Sequence, residues 1–330
     1  MCAPQSDLNT CEGIVPITSQ VFAASAAPCC NTRMETLTPA SEATLDFPGL
    51  LRYWRGKRGY SQLALSLAAG VSQRHISFLE SGRARPSREM VLALAERLGV
   101  PLRQRNRLLL ASGFAPAYSE HALASPPLQM VQQAIALILA KQEPYPAVVL
   151  DRFWNLVDAN AAYRGMLDTL LGGRPPASLA EDTRRINLML TVFDPDGLWP
   201  VIENARQVGR YLLRRVWQEL QVQAHDQTAR EIFGRIADWH PDMVGPGGVL
   251  LPEDDGTDGP PPPLLPVVLH AGAFRASLFS TLTTLGIPQD ITLQELRIEC
   301  FFPADDATRI LFETRGDPRQ PAVRSDSAGR

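Results

Sequence analysis

Between Ser61 and Pro86 the chain reads SQLALSLAAGVSQRHISFLESGRARP, and few folds accept that pattern. Ser61 is placed to cap a helix, its hydroxyl accepting a free backbone N–H. Leu65 and Ala69 then fall four apart on one face. Gly70 follows where the chain must turn sharply, and glycine takes a positive φ without steric cost. Ser72 caps a second helix, whose inward pair is Ile76 and Leu79. Gln73, Arg74, His75 and Ser77 are left near its outer N-terminal end. Two short helices across a tight turn, with a basic exit, form a helix-turn-helix, whose second helix lies in the major groove and reads base edges with its first residues. The sequence therefore predicts a DNA-binding module.

Charge supports this through its distribution, not its total. The formal net charge of the 330 residues is only −3. From Pro48 to Pro116, however, 12 Lys and Arg face 3 acids, Glu80, Glu89 and Glu96, a balance of +9. The first 47 residues carry −4 and the stretch from Ala117 onward −8. A basic module on an acidic body is the electrostatic footprint of a phosphate-binding surface.

Other classes are disfavoured. Four of the five cysteines, Cys2, Cys11, Cys29 and Cys30, crowd the N-terminus, and Cys300 stands alone. They lack paired Cys-x-x-Cys spacing and nearby histidines, which argues against zinc. No basic n-region with a long apolar run marks a secretory leader, and no run approaches a membrane span. The expectation is a cytoplasmic protein with free thiols, no metal and no cofactor.

Residues 1–46 are rich in Ser, Thr, Ala and Pro and read as a disordered tail, with Met34 a candidate alternative start. Residues 47–116 form the DNA-binding domain, with helices at Gly49–Arg58, at the two described above, at Ser87–Leu98 and at Leu102–Ala111. Residues 117–127 read as a linker. From Leu128 to residue 316 the pattern is mixed α/β. An amphipathic helix precedes a hairpin, Ala147–Asp151 and Asn155–Ala159, that feeds a helix capped by Asn160. Ser178–His240 is mostly helical, and Pro252–Pro263 is an exposed acidic loop. Strands return at Pro266–His270, Phe274–Leu285 and Leu296–Phe302, before a last helix at Asp305–Arg315. In the third of these, Leu296, Ile298, Cys300 and Phe302 share one face, opposite Arg297 and Glu299. Residues 317–330 read as a second disordered tail.

The segment Gly49–Pro86 resembles the XRE, or phage-repressor-like, helix-turn-helix family through Ser61-Gln62, Leu65, Ala69-Gly70-Val71-Ser72-Gln73, Ile76-Ser77, Leu79-Glu80, Gly82 and Pro86. Ser66 stands where that family usually has Ala. From Pro48 to Arg315 the chain is similar to the MmyB-like transcription regulators, most specifically in LLRYWRGKRGYSQ, SFLESGRARPSREMV, LLLASGFAP, YPAVVLDRFWNLVDANAA and FSTLTTLGIPQDITLQELRIECFFPAD. The resemblance implies a five-helix XRE-type domain followed by a PAS-like α+β sensor domain that binds a small apolar ligand, with a fatty acid implied.

Carried over, the family roles give Gln62 a phosphate or base contact and let Gln73 and Arg74 reach bases. Gln suits adenine and Arg suits guanine. His75 and Ser77 are base or phosphate neighbours, and Ser72 belongs to the same surface as the cap of the reading helix. Arg83 and Arg85, with Arg88 a weaker candidate, bind backbone phosphate. The family also implies a structural salt bridge from Glu80 to Arg55. A ligand pocket is expected between the sheet and the middle helices, with Val149, Val157, Leu278, Ile298 and Phe302 as candidate walls and Arg152 or Arg297 as the cation for a carboxylate. Each of these wall residues also suits plain core, and Tyr211 and Trp217 suit a dimer face. His225, Asp226, His240 and Asp242 read as surface residues rather than metal ligands, and Gly245–Gly248 as a loop.

The leading expectation is a homodimeric, ligand-responsive regulator on a palindromic double-stranded operator, because two-fold symmetry matches paired half-sites. An alternative is a DNA-binding protein whose C-terminal domain serves only dimerisation or partner binding. A third, an enzyme with a fused DNA-binding head, lacks a catalytic constellation.

Overall fold

Five helices follow one another from Phe47 to Ala111: α1 (Phe47–Lys57), α2 (Gln62–Ala69), α3 (Gln73–Glu80), α4 (Arg88–Arg97) and α5 (Leu102–Ala111). The computed structural model describes residues 46–174, 186–220, 227–245, 249–250, 264–286 and 288–315. The expected tails, Met34, the four N-terminal cysteines, His225, Asp226 and the Pro252–Pro263 loop lie outside the described residues, as does the side chain of Trp217.

The helix starts follow the capping logic of the sequence. Asp46, Ser61, Ser72 and Ser87 each accept a backbone N–H three residues on, at 3.0–3.2 Å. Gly70 ends α2 with φ +68°, which leaves the turn open to glycine and strained for any other residue. Phe47, Leu51, Trp54, Leu65, Ile76, Leu79, Val91, Leu94 and Leu109 close one core. Each fully buried aliphatic or aromatic side chain there contributes roughly 1.5–3 kcal/mol.

The second domain is built on a five-stranded antiparallel sheet. Its strands are β1 (Ala147–Leu150), β2 (Leu156–Ala159), β5 (Val267–Ala271), β6 (Phe274–Thr283) and β7 (Arg297–Pro303), in the spatial order β2-β1-β7-β6-β5. On one face lies α6 (Gln129–Gln142), packed on Ala147, Val149, Ile298 and Cys300. On the other face lie α7 (Ala161–Leu171), α8 (Leu188–Phe193), α9 (Ala205–Leu220) and α10 (Gln227–Trp239), together with α12 (Asp306–Arg315). A short β3–β4 ribbon (Val244–Gly245 and Val249–Leu250) flanks residues read from sequence as a loop. The arrangement is the PAS-like α+β domain that was expected. Besides that ribbon, the sequence reading did not foresee α11 (Ile291–Glu295), a five-residue helix just before β7. No helix among the described residues is long and apolar enough to cross a membrane.

Both faces of β1 are covered, so all four of its residues are buried, Val148 and Leu150 toward the helical layer and Ala147 and Val149 toward α6. A continuous apolar run, not an alternating one, is what such a strand requires. In the helical layer, Gly209 of α9 lets the Trp199 ring approach so closely that a Cβ would stand 2.9 Å from it. Gly209→Ala is expected to cost about 1–3 kcal/mol through overpacking, read as a lowered midpoint in thermal melts.

Candidate functional site

The first turn of α3 projects from the DNA-binding domain. Gln73 and Arg74 are exposed, His75 and Ser77 are half-buried, and Ser72 is exposed with its Oγ accepting from the His75 N–H at 3.1 Å. Arg74 lies over the Phe78 ring, 5.1 Å from its centre, which directs its guanidinium along the outer face of the helix. Arg83 and Arg85 are exposed just beyond α3, on a loop whose Arg83 N–H returns to the Phe78 carbonyl at 2.9 Å.

Behind that surface, Glu80 is 3% exposed. Arg55 forks onto it, Nε to Oε1 at 2.5 Å and Nη2 to Oε2 at 3.1 Å, while its Nη1 donates to the Tyr60 carbonyl at 2.8 Å. Gln62 donates its amide to the same Glu80 Oε2 at 2.8 Å. The amide nitrogen of Gln62 is therefore committed inward, whereas the sequence reading placed this residue only on DNA. Arg88 is also engaged within the protein, donating to the Ala115 carbonyl at 2.7 Å.

In the α+β domain a cavity of about 190 Å³ opens between the inner face of the sheet and α7, α8 and α9. Its walls are apolar: Met166 and Leu170 of α7, Met189 of α8, Leu212 of α9, Leu269 of β5 and Leu278 of β6. One end is polar and is formed by Arg215, Ser280 and Glu299, with Tyr211 also lining the cavity. Burial pushes the Glu299 carboxyl up from its ordinary range, against the opposing pull of the Ser280 hydrogen bond and of Arg215 and Arg297. Burial, reinforced by Glu299, likewise raises the Tyr163 hydroxyl on the same wall.

Trp154 forms part of this wall, and two guanidinium groups lie over its ring, Arg215 at 5.6 Å and Arg297 at 5.4 Å from its centre. Its backbone sits at φ +67°, a left-handed conformation that costs a bulky residue on the order of 1–3 kcal/mol. The surrounding hydrogen bonds hold it there. Asp151 Oδ1 accepts from the N–H groups of Phe153 and Asn155 at 2.8 and 2.9 Å, and the Leu188 N–H donates to the Trp154 carbonyl at 2.8 Å. Asn187 adds a bond to the Phe153 carbonyl at 2.8 Å.

Of the seven ligand candidates, Leu278 lines the cavity and Arg297 lies against its Trp154 wall. The others need correction. Val149, Ile298 and Phe302 face α6 on the opposite side of the sheet. Val157 is exposed on the edge strand β2. Arg152 stacks on Phe153 at 4.1 Å and approaches Glu295 at 3.8 Å. The alternation of β7 was read correctly, but its sidedness was inverted. The apolar row covers α6, and the row carrying Arg297, Glu299 and Phe301 turns inward because the cavity end is polar. Elsewhere, His240 is buried rather than on the surface as expected, with its Nε2 2.7 Å from the Phe193 carbonyl, while the exposed Asp242 pairs with Arg206 at 2.7 Å.

Two family models match the chain. One, described as helix-turn-helix, covers residues 51–104, and the other, described as MmyB-like transcription regulator ligand binding domain, covers residues 131–314. No curated protein matches it.

Proposed function

Since the chain belongs to the MmyB-like transcription regulators, whose ligand-binding domain model spans more than half its length, we propose that it reads an operator through Gln73 and Arg74 and answers to an amphiphile in the 190 Å³ cavity. The observation that carries this reading is the exposed first turn of α3 on a domain of charge +9. Gln73 and Arg74 are long enough to reach base edges, and each bidentate pair discriminates by about 1–3 kcal/mol. Ser72, His75, Ser77, Arg83 and Arg85 contact the flanking phosphates and set the register. Gln62 acts from behind, steadying the Glu80 pair at the start of the motif. The protein works in the cytoplasm as a homodimer on a palindromic site, because one short recognition helix per chain reads only half an operator. Its domains are the helices of residues 47–116 and the sensor of residues 128–316. Both matched families are regulatory, and we assign the chain no catalytic role.

For the ligand, the apolar walls favour an alkyl chain, and Arg215 beside Trp154 favours a carboxylate head. That combination supports a fatty acid over a module that only binds partners. Native mass spectrometry of the purified protein is expected to reveal co-purified fatty acid; its consistent absence, with no uptake of added dodecanoate, would remove the sensor reading.

Fluorescence anisotropy against the upstream intergenic DNA and a scrambled control, at two salt concentrations, tests the DNA reading. Arg74→Ala is expected to weaken the cognate site about 5- to 150-fold and leave scrambled DNA nearly unchanged. Arg83→Ala is expected to weaken both and to reduce the salt slope by about 0.9. An altered base preference in Arg83→Ala, or an unaltered one in Arg74→Ala, would reverse the two roles. Light scattering that finds only monomer on operator DNA would sink the dimer.

A further inference from the structure

The last helix of the DNA-binding domain does not cap itself. Pro101 stands at the N-cap of α5 and makes no side-chain cap bond. The missing partner comes from the sensor domain: Gln294 Oε1 accepts from the Leu102 N–H at 2.6 Å. One residue on, Arg103 forks onto Glu295, Nε to Oε1 at 2.8 Å and Nη2 to Oε2 at 2.9 Å, and its other edge grips Glu120. A helix start leaves N–H groups without partners, so a cap in trans ties the register of α5 to the position of α11.

The segment expected to be a linker is laced into the same junction. Asn106 of α5 bonds the Tyr118 carbonyl at 2.8 Å and accepts from the Ala117 N–H at 2.9 Å. Asp290, which caps α11, pairs with His121 at 2.8 Å, and Thr292 donates to the His121 carbonyl at 2.7 Å. The linker therefore has no slack with which to absorb a movement of α11.

Two short paths connect this junction to the cavity. Glu295 ends α11 and, two residues later, Arg297 lies over Trp154. Arg152 bridges from Glu295 to Phe153, the neighbour of Trp154. We infer that the contact of Gln294 and Glu295 with Leu102 and Arg103 is the joint through which filling of the cavity sets the position of α5, with Glu295 as a positioning residue. The inference rests on the ligand-responsive reading above. A forked arginine is strict about geometry, so a displacement of Trp154 and Arg297 alters the fork and the cap together. The cavity and the reading helices are then coupled through contacts that differ between two states, which is what allostery requires.

A double-mutant cycle in the full chain tests the joint. Leu278→Trp fills the cavity, and Glu295→Gln removes the charge with which the sensor domain holds Arg103, leaving Glu120 in place. Uptake of the dye 8-anilinonaphthalene-1-sulfonate reports on the cavity, and amide exchange over residues 103–112 reports on α5. Leu278→Trp is expected to lower dye uptake in both backgrounds. It should change α5 exchange by at least about fivefold in the parent, the low end of allosteric coupling, and by less than about twofold with Glu295→Gln. An α5 response of equal size in both backgrounds, or none in the parent while dye uptake falls, overturns the joint. Dye uptake that ignores Leu278→Trp, with an α5 response that still vanishes in Glu295→Gln, keeps the joint and overturns the cavity as the ligand site. Arg103→Lys, which keeps the charge but loses the fork, serves as the second variant should Glu295→Gln fail to fold, and the same outcomes apply.

Discussion

Glu80→Ala is expected to melt the DNA-binding helices while leaving the sensor domain folded. Glu80 is almost fully buried, and three side chains converge on it: Arg55 through Nε and Nη2, Gln62 through its amide and, at the Glu80 carbonyl, Arg52 through Nη2 at 2.6 Å. Removing the carboxylate strands the Arg55 guanidinium between α1 and α3, and breaking one partner of a buried pair costs about 3–5 kcal/mol. That is a large share of what a domain of this size possesses. Amide exchange over residues 50–110 should rise toward that of an unfolded chain, and binding to cognate and scrambled DNA should fall together. The double variant Arg55→Leu with Glu80→Leu should recover much of the loss, because a buried ion pair replaced by packed apolar groups is often neutral. Glu80→Ala with an unchanged melt and an altered base preference would instead make Glu80 a reader of sequence.

The difference between that site and the ligand cavity is also a difference in legibility. The helix-turn-helix is local: its caps, its Gly70 turn and its outward residues lie within Ser61–Pro86, and helical spacing settles which side each residue takes. Arg55 and Glu80 are 25 residues apart, and only a family resemblance paired them. The five strands of the sensor sheet were legible to within one or two residues from their apolar runs, whereas the two-residue strands β3 and β4 are too short to leave such a run. Which face of β7 looks into the cavity was not legible, because alternation separates two rows without saying which layer of helices covers each. Burial of Arg297 and Glu299 is decided by Trp154 and Arg215, neither of which is near them in sequence. The cap that Gln294 supplies to Leu102 spans 192 residues and leaves no local signal. Trp154 did leave one: Asp151 and Asn155 bracket a tight turn, with side chains suited to bond its backbone.

That turn is where the second large effect is expected. Asn187 is 0% exposed, and its amide nitrogen donates to the Phe153 carbonyl at 2.8 Å and to Asn155 Oδ1 at 3.0 Å. Its oxygen caps α8 through the Leu190 N–H at 3.0 Å. Asn187→Ala leaves a carbonyl, an amide oxygen and a helix N–H buried without their partner, at about 1–3 kcal/mol each. A loss of at least about 3 kcal/mol should lower the melting midpoint of a domain this size by roughly 6–12 °C. The same bonds keep Trp154 in its left-handed backbone, so their removal frees the ring to relax out of the cavity wall. Uptake of an apolar dye should therefore fall more than stability alone dictates. Asn187→Ser separates the two roles, since its hydroxyl is a good helix cap for α8 but is too short to replace the amide that holds the Phe153 carbonyl. It should retain more of the melting midpoint than Asn187→Ala yet lose dye uptake to a similar degree. If both variants melt within about 1 °C of the parent and take up dye normally, other contacts alone hold Trp154 in place, and Asn187 is only a helix cap of modest worth.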